Sequence, residues 1–365
     1  MSRWACGVST SLLQAWCLLL LKSDVPSIAI LGEIQINRLR NLAIILALLL
    51  MTLMPSPMGA AELTPFKIGI SEAVNTVLPL WMAEAGGFYR AQGLKVEIIN
   101  MQGGSRGAQE LQAGRIDAMH VGLSSVVRLN RAGGDLRTVA SLSNEVRFTF
   151  FVNAGVKSAA DLKGGVIAVS TFGSESDATV TLALKKLGLS RDDVVLKEYG
   201  GGTRRIDAVR SGEIKATAVN EPVTSIAYEQ GLQAMVDLAA DHIPWLFSSI
   251  VVKQSYLAAD RNLVTRFIKA TMEGNYLALS NEKLAKEVLA RETRVADPKI
   301  LEVSYKDFKL QTPANIEPTR KAAENVIANF PPGGSSKVED YVDIGIIEQL
   351  KKEGFVAALQ RKYKR

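Results

Sequence analysis

The residues that could perform catalytic or metal chemistry are few in this chain of 365 residues. It contains two histidines, His120 and His242, and two cysteines, Cys6 and Cys17. The metalloprotease motif H-E-x-x-H, the phosphate-binding motif G-x-x-x-x-G-K-[ST] and a complete G-x-G-x-x-G do not occur. His120 lies in an apolar strand, where we expect a hydrogen-bonded core histidine. We therefore predict no catalytic residue, no metal site and no cofactor.

Polar residues follow the predicted strands instead, at the places where an α/β protein binds ligands. In open α/β sheets ligands lie beyond the carboxyl ends of the strands, where helix N-termini present free N–H groups. Almost all of these positions carry small, hydroxyl or amide residues, for example Ser71 to Thr76 and Ser170 to Asp177. Such residues also cap helices, so each alone is ambiguous, but as a set they predict a cleft for a small polar molecule. The acids there favour a cationic ligand and the arginines an anionic one.

A repeated segment indicates how these positions are arranged. Residues 103–122 (GGSRGAQELQAGRIDAMHVG) and 201–220 (GGTRRIDAVRSGEIKATAVN) align without gaps and share seven of twenty residues. Each copy predicts a glycine turn, a Ser or Thr that can cap a helix, a helix, a second turn glycine and a short apolar strand. Strands and helices alternate from 66 to about 240, which is typical of α/β lobes with largely parallel sheets. Helices follow to the C-terminus, and we expect them to cover the first lobe.

The N-terminal region predicts export. Arg38 and Arg40 precede a mainly apolar stretch, Leu42 to Met54, and the small residues Ala60 and Ala61 follow two prolines. This order is that of a signal peptide, and the stretch is shorter than the roughly 20 residues that span a bilayer. Cleavage after residue 60 or 61 leaves a mature chain without cysteine, as suits a Gram-negative periplasm. The formal charge of +6 is spread along the chain, so no nucleic-acid surface is expected.

Several segments, taken in order, resemble one family. They include AEAGGFYRAQGLKVEIINMQGGSRGAQELQAGRIDAMHVG, VKSAADLKGGVIAVSTFGSESD and AVNEP. Over about 66 to 280 the chain resembles the periplasmic substrate-binding proteins of nitrate, taurine and alkanesulfonate ABC transporters (the NitT/TauT, SsuA-like group), which also includes pyrimidine-precursor binders. The resemblance implies an α/β, two-lobed type II periplasmic-binding-protein fold with a ligand cleft between the lobes and a helical C-terminal part. The two repeats would then be equivalent elements of the lobes.

The implied organisation is a leader and signal peptide at 1–61, lobe 1 at 62–153, lobe 2 at 154–238, and a return strand with C-terminal helices of lobe 1 at 239–365. In the family the cleft is lined by the loop after the first strand, by the Gly-Ser segment of the second lobe and by the Glu-Pro pair. One departure is Asn220, since the family often has an aromatic residue before Glu-Pro. Together with the lobe geometry and the strand ends, the resemblance implies as ligand-binding residues Glu72, Ala73, Val74, Asn75, Thr76, Gly103, Gly104, Ser105, Ser124, Thr171, Gly173, Ser174, Glu175, Ser176, Asn220 and Glu221.

The function implied is that of a periplasmic solute-binding protein, not an enzyme. It would capture a small polar organic or oxyanion ligand (sulfonate, nitrate or pyrimidine-like) by lobe closure. As a monomer it would deliver that ligand to an ABC transporter permease with its ATPase. Two alternatives stay open. One is a pyrimidine-biosynthesis-like enzyme on the same fold, although such relatives consume an active-site histidine and carry a cysteine cluster that the mature chain lacks. The other is a ligand-sensing receptor for a signalling partner.

Overall fold

The computed structural model describes residues 62–364. The predicted leader and signal peptide, with both cysteines, lie outside the described residues. In the described part, the strands are β1 (Thr64–Ile70), β2 (Leu94–Asn100), β3 (Ala118–Val121), β4 (Leu136–Glu145), β5 (Thr149–Val152), β6 (Val166–Val169), β7 (Val195–Glu198), β8 (Ala216–Val219), β9 (Gln233–Asp237) and β10 (Pro244–Lys253).

Helices surround these strands and dominate the C-terminal third. They are α1 (Leu78–Ala85), α2 (Phe88–Ala91), α3 (Gly104–Gln112), α4 (Leu123–Arg131), α5 (Glu175–Lys186), α6 (Gly202–Ser211), α7 (Val223–Glu229), α8 (Gln254–Ala259), α9 (Arg261–Ser280), α10 (Glu282–Thr293), α11 (Pro298–Gln311), α12 (Arg320–Ala328), α13 (Gly345–Lys352) and α14 (Phe355–Lys362). Short 3-10 turns occur at Asn75–Val77, Ala159–Leu162, Arg191–Asp193 and Val338–Asp340.

The strands form two five-stranded sheets of the same design. The first has the order β2-β1-β3-β10-β4 and the second β7-β6-β8-β5-β9. In each sheet three parallel strands are followed by two strands that pair antiparallel, β10 with β4 and β5 with β9. The first sheet with its helices is lobe 1, and the second sheet with α5, α6 and α7 is lobe 2. The predicted two-lobed α/β class is confirmed.

The repeated segment occupies equivalent places in the two lobes. Helix α3 and strand β3 belong to the first copy, and α6 and β8 to the second. Both helices begin at the second glycine of their copy, and β3 and β8 are the third strands of their sheets. The predicted equivalence is therefore confirmed.

Strand β5 corrects the predicted boundary at residue 153. That boundary assigns β5 to lobe 1, but β5 hydrogen-bonds to β8 and β9 in the second sheet. The chain therefore leaves lobe 1 between Glu145 and Thr149, and it returns between β9 and β10. The sequence pattern predicts β4 and β5 as successive strands, but it does not show which strands they pair with in a sheet. For that reason the predicted boundary between lobe 1 and lobe 2 lies too late in the chain.

The C-terminal helices cover lobe 1, as the pattern predicts. Helix α9 packs on α1 so closely that a Cβ at Gly274 would lie 2.4 Å from the carbonyl oxygen of Pro79. The ring of Phe267 on α9 stacks on Phe66 of β1 with centroids 4.4 Å apart. Burying these apolar faces against the sheet is the main source of stability here. Among the described helices, none is long and apolar enough to cross a membrane.

Candidate functional site

A partly open cavity of about 60 Å³ lies between the two lobes, at the carboxyl ends of their parallel strands. Hydroxyl and carboxylate side chains line most of it, and two phenylalanines form an apolar wall. The lining consists of Ser71, Glu72, Val74, Thr76, Gly104, His120, Val121, Gly122, Phe148, Ser170, Ser174, Glu175, Ser176, Asn220, Phe247 and Ser248.

The structure gathers about half of the predicted site residues around this cavity and places the others nearby. Those that line it are Glu72, Val74, Thr76, Gly104, Ser174, Glu175, Ser176 and Asn220. Ala73 lines a groove of about 590 Å³ that shares Glu72 and Ser170 with the cavity. Ser124 and Gly173, again with Ser174, line a separate pocket of about 500 Å³.

The remaining predicted residues hold lobes together without lining the cavity. The backbone N–H of Ser105 donates to the Thr171 hydroxyl over 3.3 Å, and the Ser105 hydroxyl donates to the carbonyl oxygen of Phe172 over 2.8 Å. Gly103 lies against the Thr171 side chain. All of these contacts join the N-terminal end of α3 in lobe 1 to the loop after β6 in lobe 2.

Glu72 extends from lobe 1 to the N-terminus of α6 in lobe 2. Its carboxylate accepts the backbone N–H of Gly202 over 3.0 Å and a guanidinium N–H of Arg205 over 3.2 Å. Arg205 is 1% exposed and also donates to the carbonyl oxygens of Gly200 and Ala218. Burial lowers the pKa of Arg205, and the charge of Glu72 opposes that shift. The buried guanidinium therefore depends on Glu72 for charge compensation.

Glu175 makes the reciprocal contact, from the first residue of α5 in lobe 2 to the N-terminus of α4 in lobe 1. Its carboxylate accepts the backbone N–H of Ser124 over 2.9 Å and the indole N–H of Trp245 over 2.8 Å. A Cβ at Gly122 would lie 2.1 Å from Oε1 of Glu175, so the approach requires glycine there. Burial raises the pKa of Glu175 to about 7, and the hydrogen bonds from Ser124 and Trp245 oppose the shift.

Glu221 turns away from the cavity toward the C-terminal helix α11. Its carboxylate accepts hydrogen bonds from the hydroxyls of Ser225, over 2.9 Å, and Ser304, over 3.3 Å. Burial raises its pKa to about 7. Its carbonyl oxygen accepts the backbone N–H of Asn75, whose side-chain amide donates to the carbonyl oxygen of Ser304 and to Asp307. The predicted residues Glu221 and Asn75 are thus brought to each other, at the contact between α11 and lobe 2.

A histidine and two hydroxyls form a buried cluster on the lobe 1 side of the cavity. Nε2 of His120 lies 2.5 Å from the Ser248 hydroxyl and 3.4 Å from that of Thr76. Ser248 donates to Thr76 over 2.9 Å, so Nε2 is the donor toward Ser248 and Nδ1 keeps its lone pair. Burial lowers the pKa of His120 to about 4, so the ring is neutral at pH 7. Nδ1 has no hydrogen-bond partner among the described residues.

Three serines form the lobe 2 side. The hydroxyls of Ser170, Ser174 and Ser176 lie 3.0 Å from one another, and the Ser176 hydroxyl accepts the backbone N–H of Ser170. Ser174 also caps α5 by accepting the N–H of Asp177, the arrangement that its position before two acids predicts. These hydroxyls are therefore held in place by the turn that begins α5.

Sequence reasoning missed several lining residues. Phe148 and Phe247 form an edge-to-face pair with ring centroids 5.0 Å apart where the chain crosses between lobes. Ser248 lies within β10, which is antiparallel in its sheet, so a search of parallel strand ends passes over it. His120 is a hydrogen-bonded buried histidine, as predicted, but it also lines the cavity. The sequence feature that could have indicated Phe247 and Ser248 is the start of β10 at Pro244, directly after the chain returns from lobe 2 to lobe 1.

The segment 103–107 (GGSRG) fits the nucleophile pattern G-x-S-x-G at a strand-to-helix turn. Its Ser105 hydroxyl donates to a carbonyl oxygen, while His120 bonds to Ser248 and Thr76 and His242 bonds to Glu145. Neither histidine therefore serves Ser105 as a base. In the described part of the chain, no group of three or more His, Cys, Asp or Glu residues could hold a metal ion.

Comparison with known proteins assigns the chain to a family. The sequence model of the NMT1/THI5-like family matches residues 75–285, which is more than half of the chain. The chain belongs to the NMT1/THI5-like family. The matched region contains the cavity lining from Thr76 to Ser248.

Individual relatives of the family are distant in sequence and similar in fold. The chain is 28% identical over 239 residues to the riboflavin-binding protein RibY of Chloroflexus aurantiacus, covering 63% of this chain and 67% of RibY. A protein of Bordetella bronchiseptica RB50 superposes with a TM-score of 0.72 at 21% identity, over 83% of this chain and 99% of that one. The alkanesulfonate-binding protein SsuA from Xanthomonas axonopodis pv. citri, bound to MOPS, gives a TM-score of 0.62 at 20% identity, over 73% and 91%. These structural likenesses confirm the periplasmic-binding-protein fold.

Proposed function

We propose that the protein is a periplasmic solute-binding protein that captures one small molecule between its lobes and delivers it to the permease of an ABC importer with its ATPase. The observation that carries this proposal is the cavity between the lobes, which lies at the carboxyl ends of the strands of both lobes. Its lining comes from both sheets, so neither lobe alone forms the site. The similarity to RibY and SsuA, which are both binding proteins, supports the same role.

Closure of the lobes is the proposed mechanism. The lobes are joined by two connections, β4 to β5 and β9 to β10, so a hinge motion there can open the cleft. The contacts of Glu72 with Gly202 and of Glu175 with Ser124 exist only when the lobes meet. A ligand that adds contacts to both lobes stabilises the closed state by its differential affinity for it.

The cavity and the adjoining groove together set the proposed ligand size. The cavity of about 60 Å³ holds only a small polar group, whereas the groove of about 590 Å³ beside it is lined by Tyr199, Arg106 and Arg204 among others. A small ligand would be held between the lobes in the cavity alone. A larger one would place a polar group in the cavity and its remainder in the groove.

The enzyme alternative has one observation in its favour, the short contact between Ser248 and Nε2 of His120. A serine nucleophile must give its proton to the histidine, and a third group must orient the ring. Here Ser248 donates to Thr76, and no described residue bonds to Nδ1 of His120. The arrangement suits ligand recognition better than nucleophilic catalysis, so we propose a binding protein and not an enzyme.

A ligand-capture experiment tests the proposed function. The purified protein is incubated with a metabolite extract, washed and denatured, and the released molecules are identified by mass spectrometry. We expect one compound to be recovered intact, to raise the unfolding temperature and to reduce the radius of gyration in solution scattering. Recovery of a chemically altered compound that requires His120 would favour the enzyme. Ligand-dependent retention of a permease from solubilised membranes, as opposed to a sensor kinase, tests the partner.

A further inference from the structure

Two carboxylates cross between the lobes in opposite directions. Glu72 of lobe 1 lies on the N-terminus of α6 in lobe 2, and Glu175 of lobe 2 lies on the N-terminus of α4 in lobe 1. Each accepts a backbone N–H from the first or second residue of that helix and one further donor from a side chain, Arg205 or Trp245. The two helices therefore receive an anionic cap from the opposite lobe.

These two helix N-termini are the groups at which an oxyanion would ordinarily bind. Free N–H groups and the helix dipole favour a negative charge there. In this protein one backbone N–H of each helix is already bonded to a carboxyl side chain that lines the cavity, Glu72 on α6 and Glu175 on α4. Above pH 7, where Glu175 is ionised because burial raises its pKa to about 7, an oxyanion in the cavity would lie beside two carboxylates and would find these two N–H donors engaged.

The rest of the lining offers an anion no cationic side chain. Among the described residues that line the cavity none is a lysine or an arginine. Arg205, which lies nearby, is bonded to Glu72 and to backbone carbonyl oxygens. His120 is neutral at pH 7, since burial lowers its pKa to about 4.

Besides hydroxyl groups, which can donate or accept, the cavity offers groups that only accept hydrogen bonds. The carboxylates of Glu72 and Glu175 are acceptors with lone pairs to spare. Nδ1 of His120 adds a third acceptor, because its ring uses Nε2 as the donor to Ser248, and this buried nitrogen has no partner among the described residues. Phe148 and Phe247 supply an apolar wall beside these groups.

On the basis of the proposed function, we propose that Glu72 and Glu175 determine specificity by excluding oxyanions, so that the ligand is a neutral or cationic nitrogenous molecule that donates hydrogen bonds. The two carboxylates occupy the backbone N–H groups of α6 and α4 to which an oxyanion would bind, and they also join the two lobes. Of the ligand classes that the family resemblance implies, sulfonate and nitrate are thereby excluded.

Titration calorimetry with methanesulfonate, nitrate and sulfate tests this proposal without knowledge of the natural ligand. At pH 8, where the Glu175 carboxyl is ionised, we expect no binding heat from the wild-type protein at millimolar anion. We expect Glu175→Ala and Glu72→Ala, which uncover the helix N-termini, each to bind at least one of the anions at least tenfold more tightly than the wild type. Glu229→Ala, which removes an exposed glutamate of lobe 2, is the matched control and should behave like the wild type.

Two results would overturn the proposal. One is wild-type binding of an oxyanion as tight as that of the variants, and the other is the absence of any gain in both alanine variants. If circular dichroism shows that Glu175→Ala does not fold, the anion titrations of Glu72→Ala test the proposal alone. Glu72 is partly exposed, so its replacement disturbs the fold less than that of the buried Glu175. The proposed function is tested separately by the ligand-capture experiment, which uses the wild-type protein and a metabolite extract. If the wild-type protein captures no compound, the proposed function is contradicted whatever the anion titrations show.

Discussion

The two copies of the repeated segment keep the same backbone but carry different chemistry between helix and strand. In lobe 1, Gly107 of α3 lies against Met119 of β3, so closely that a Cβ would be 2.2 Å from the methionine Cε. At the equivalent positions of lobe 2, Arg205 of α6 donates a hydrogen bond to the hydroxyl of Thr217 on β8. A glycine–methionine contact in one lobe is thus a buried arginine–threonine contact in the other.

This difference gives the cleft its asymmetry. Arg205 supplies the charge that holds Glu72 of lobe 1 on lobe 2, and the first copy has no cation at that position. The cap of α3 is accordingly a neutral hydroxyl, Thr171, whereas the cap of α6 is a carboxylate. The two copies thus share the same helix–strand unit, but the buried arginine in place of glycine requires a negative side chain, Glu72, from the opposite lobe.

Removing the buried cation should have the largest effect. Arg205→Met leaves the Glu72 carboxylate at the interface without its ion pair and also removes the donors to Gly200 and Ala218. Breaking a buried pair by removing one partner costs about 3 to 5 kcal/mol. We expect a loss of that order in the free energy of unfolding by urea. Arg204→Met, at the exposed neighbouring position, should change it by less than about 1 kcal/mol; equal losses in the two variants would contradict the role of Arg205.

The buried carboxylate of Glu175 should make stability depend on pH. Its pKa is raised from 4.5 to about 7, so the folded protein binds a proton that the unfolded chain has released between these values. The stability contributed by this group therefore falls as pH rises from about 4.5 to 7 and is constant above that range. The full change is on the order of 3 kcal/mol, at about 1.4 kcal/mol for each pKa unit.

The comparison of wild type with Glu175→Gln isolates this effect. Glu221, whose pKa is also raised to about 7, and His120, whose pKa is lowered to about 4, contribute equally to both proteins. We expect the wild type to lose stability relative to the variant as pH rises from 5 to 8, measured by urea unfolding. A difference independent of pH would contradict the burial of an ionisable Glu175.

A glycine beside Glu175, Gly122, offers a sharper test of the contact between the Glu175 carboxylate and the N-terminus of α4 in lobe 1. Gly122→Ala would place a Cβ 2.1 Å from Oε1 of Glu175, so the carboxylate must move off the N-terminus of α4. Overpacking of this kind costs about 1 to 3 kcal/mol. Gly201→Ala, where a Cβ meets nothing within 4 Å and φ is −59°, is the control and should be nearly neutral. Similar thermal midpoints for the two variants would show that the close approach at Gly122 has no energetic weight.

Sequence reasoning reaches the fold and the strand ends more easily than the contacts between lobes. The alternation of strands and helices and the repeat predict two α/β lobes, because local periodicity fixes each element. The acids at positions 72 and 175 are predicted at the site, but which helix each one caps depends on the distance between residues far apart in sequence, such as Glu72 and Gly202. For the same reason Glu221, predicted beside the ligand, is found bonded to Ser304 of a C-terminal helix.

The neutral cap of α3 should have the smallest effect, and it completes the comparison of the two copies. Thr171→Val keeps the shape of the side chain but removes the hydroxyl that accepts the N–H of Ser105. Because loss of a hydroxyl helix cap costs about 1 kcal/mol, we expect a decrease of that size in the free energy of unfolding. Glu72→Gln, at the equivalent cap of α6, should cost more, since it removes the charge that compensates Arg205. If the two variants lose equal stability, the charge introduced by the second copy does not strengthen its contact with the opposite lobe.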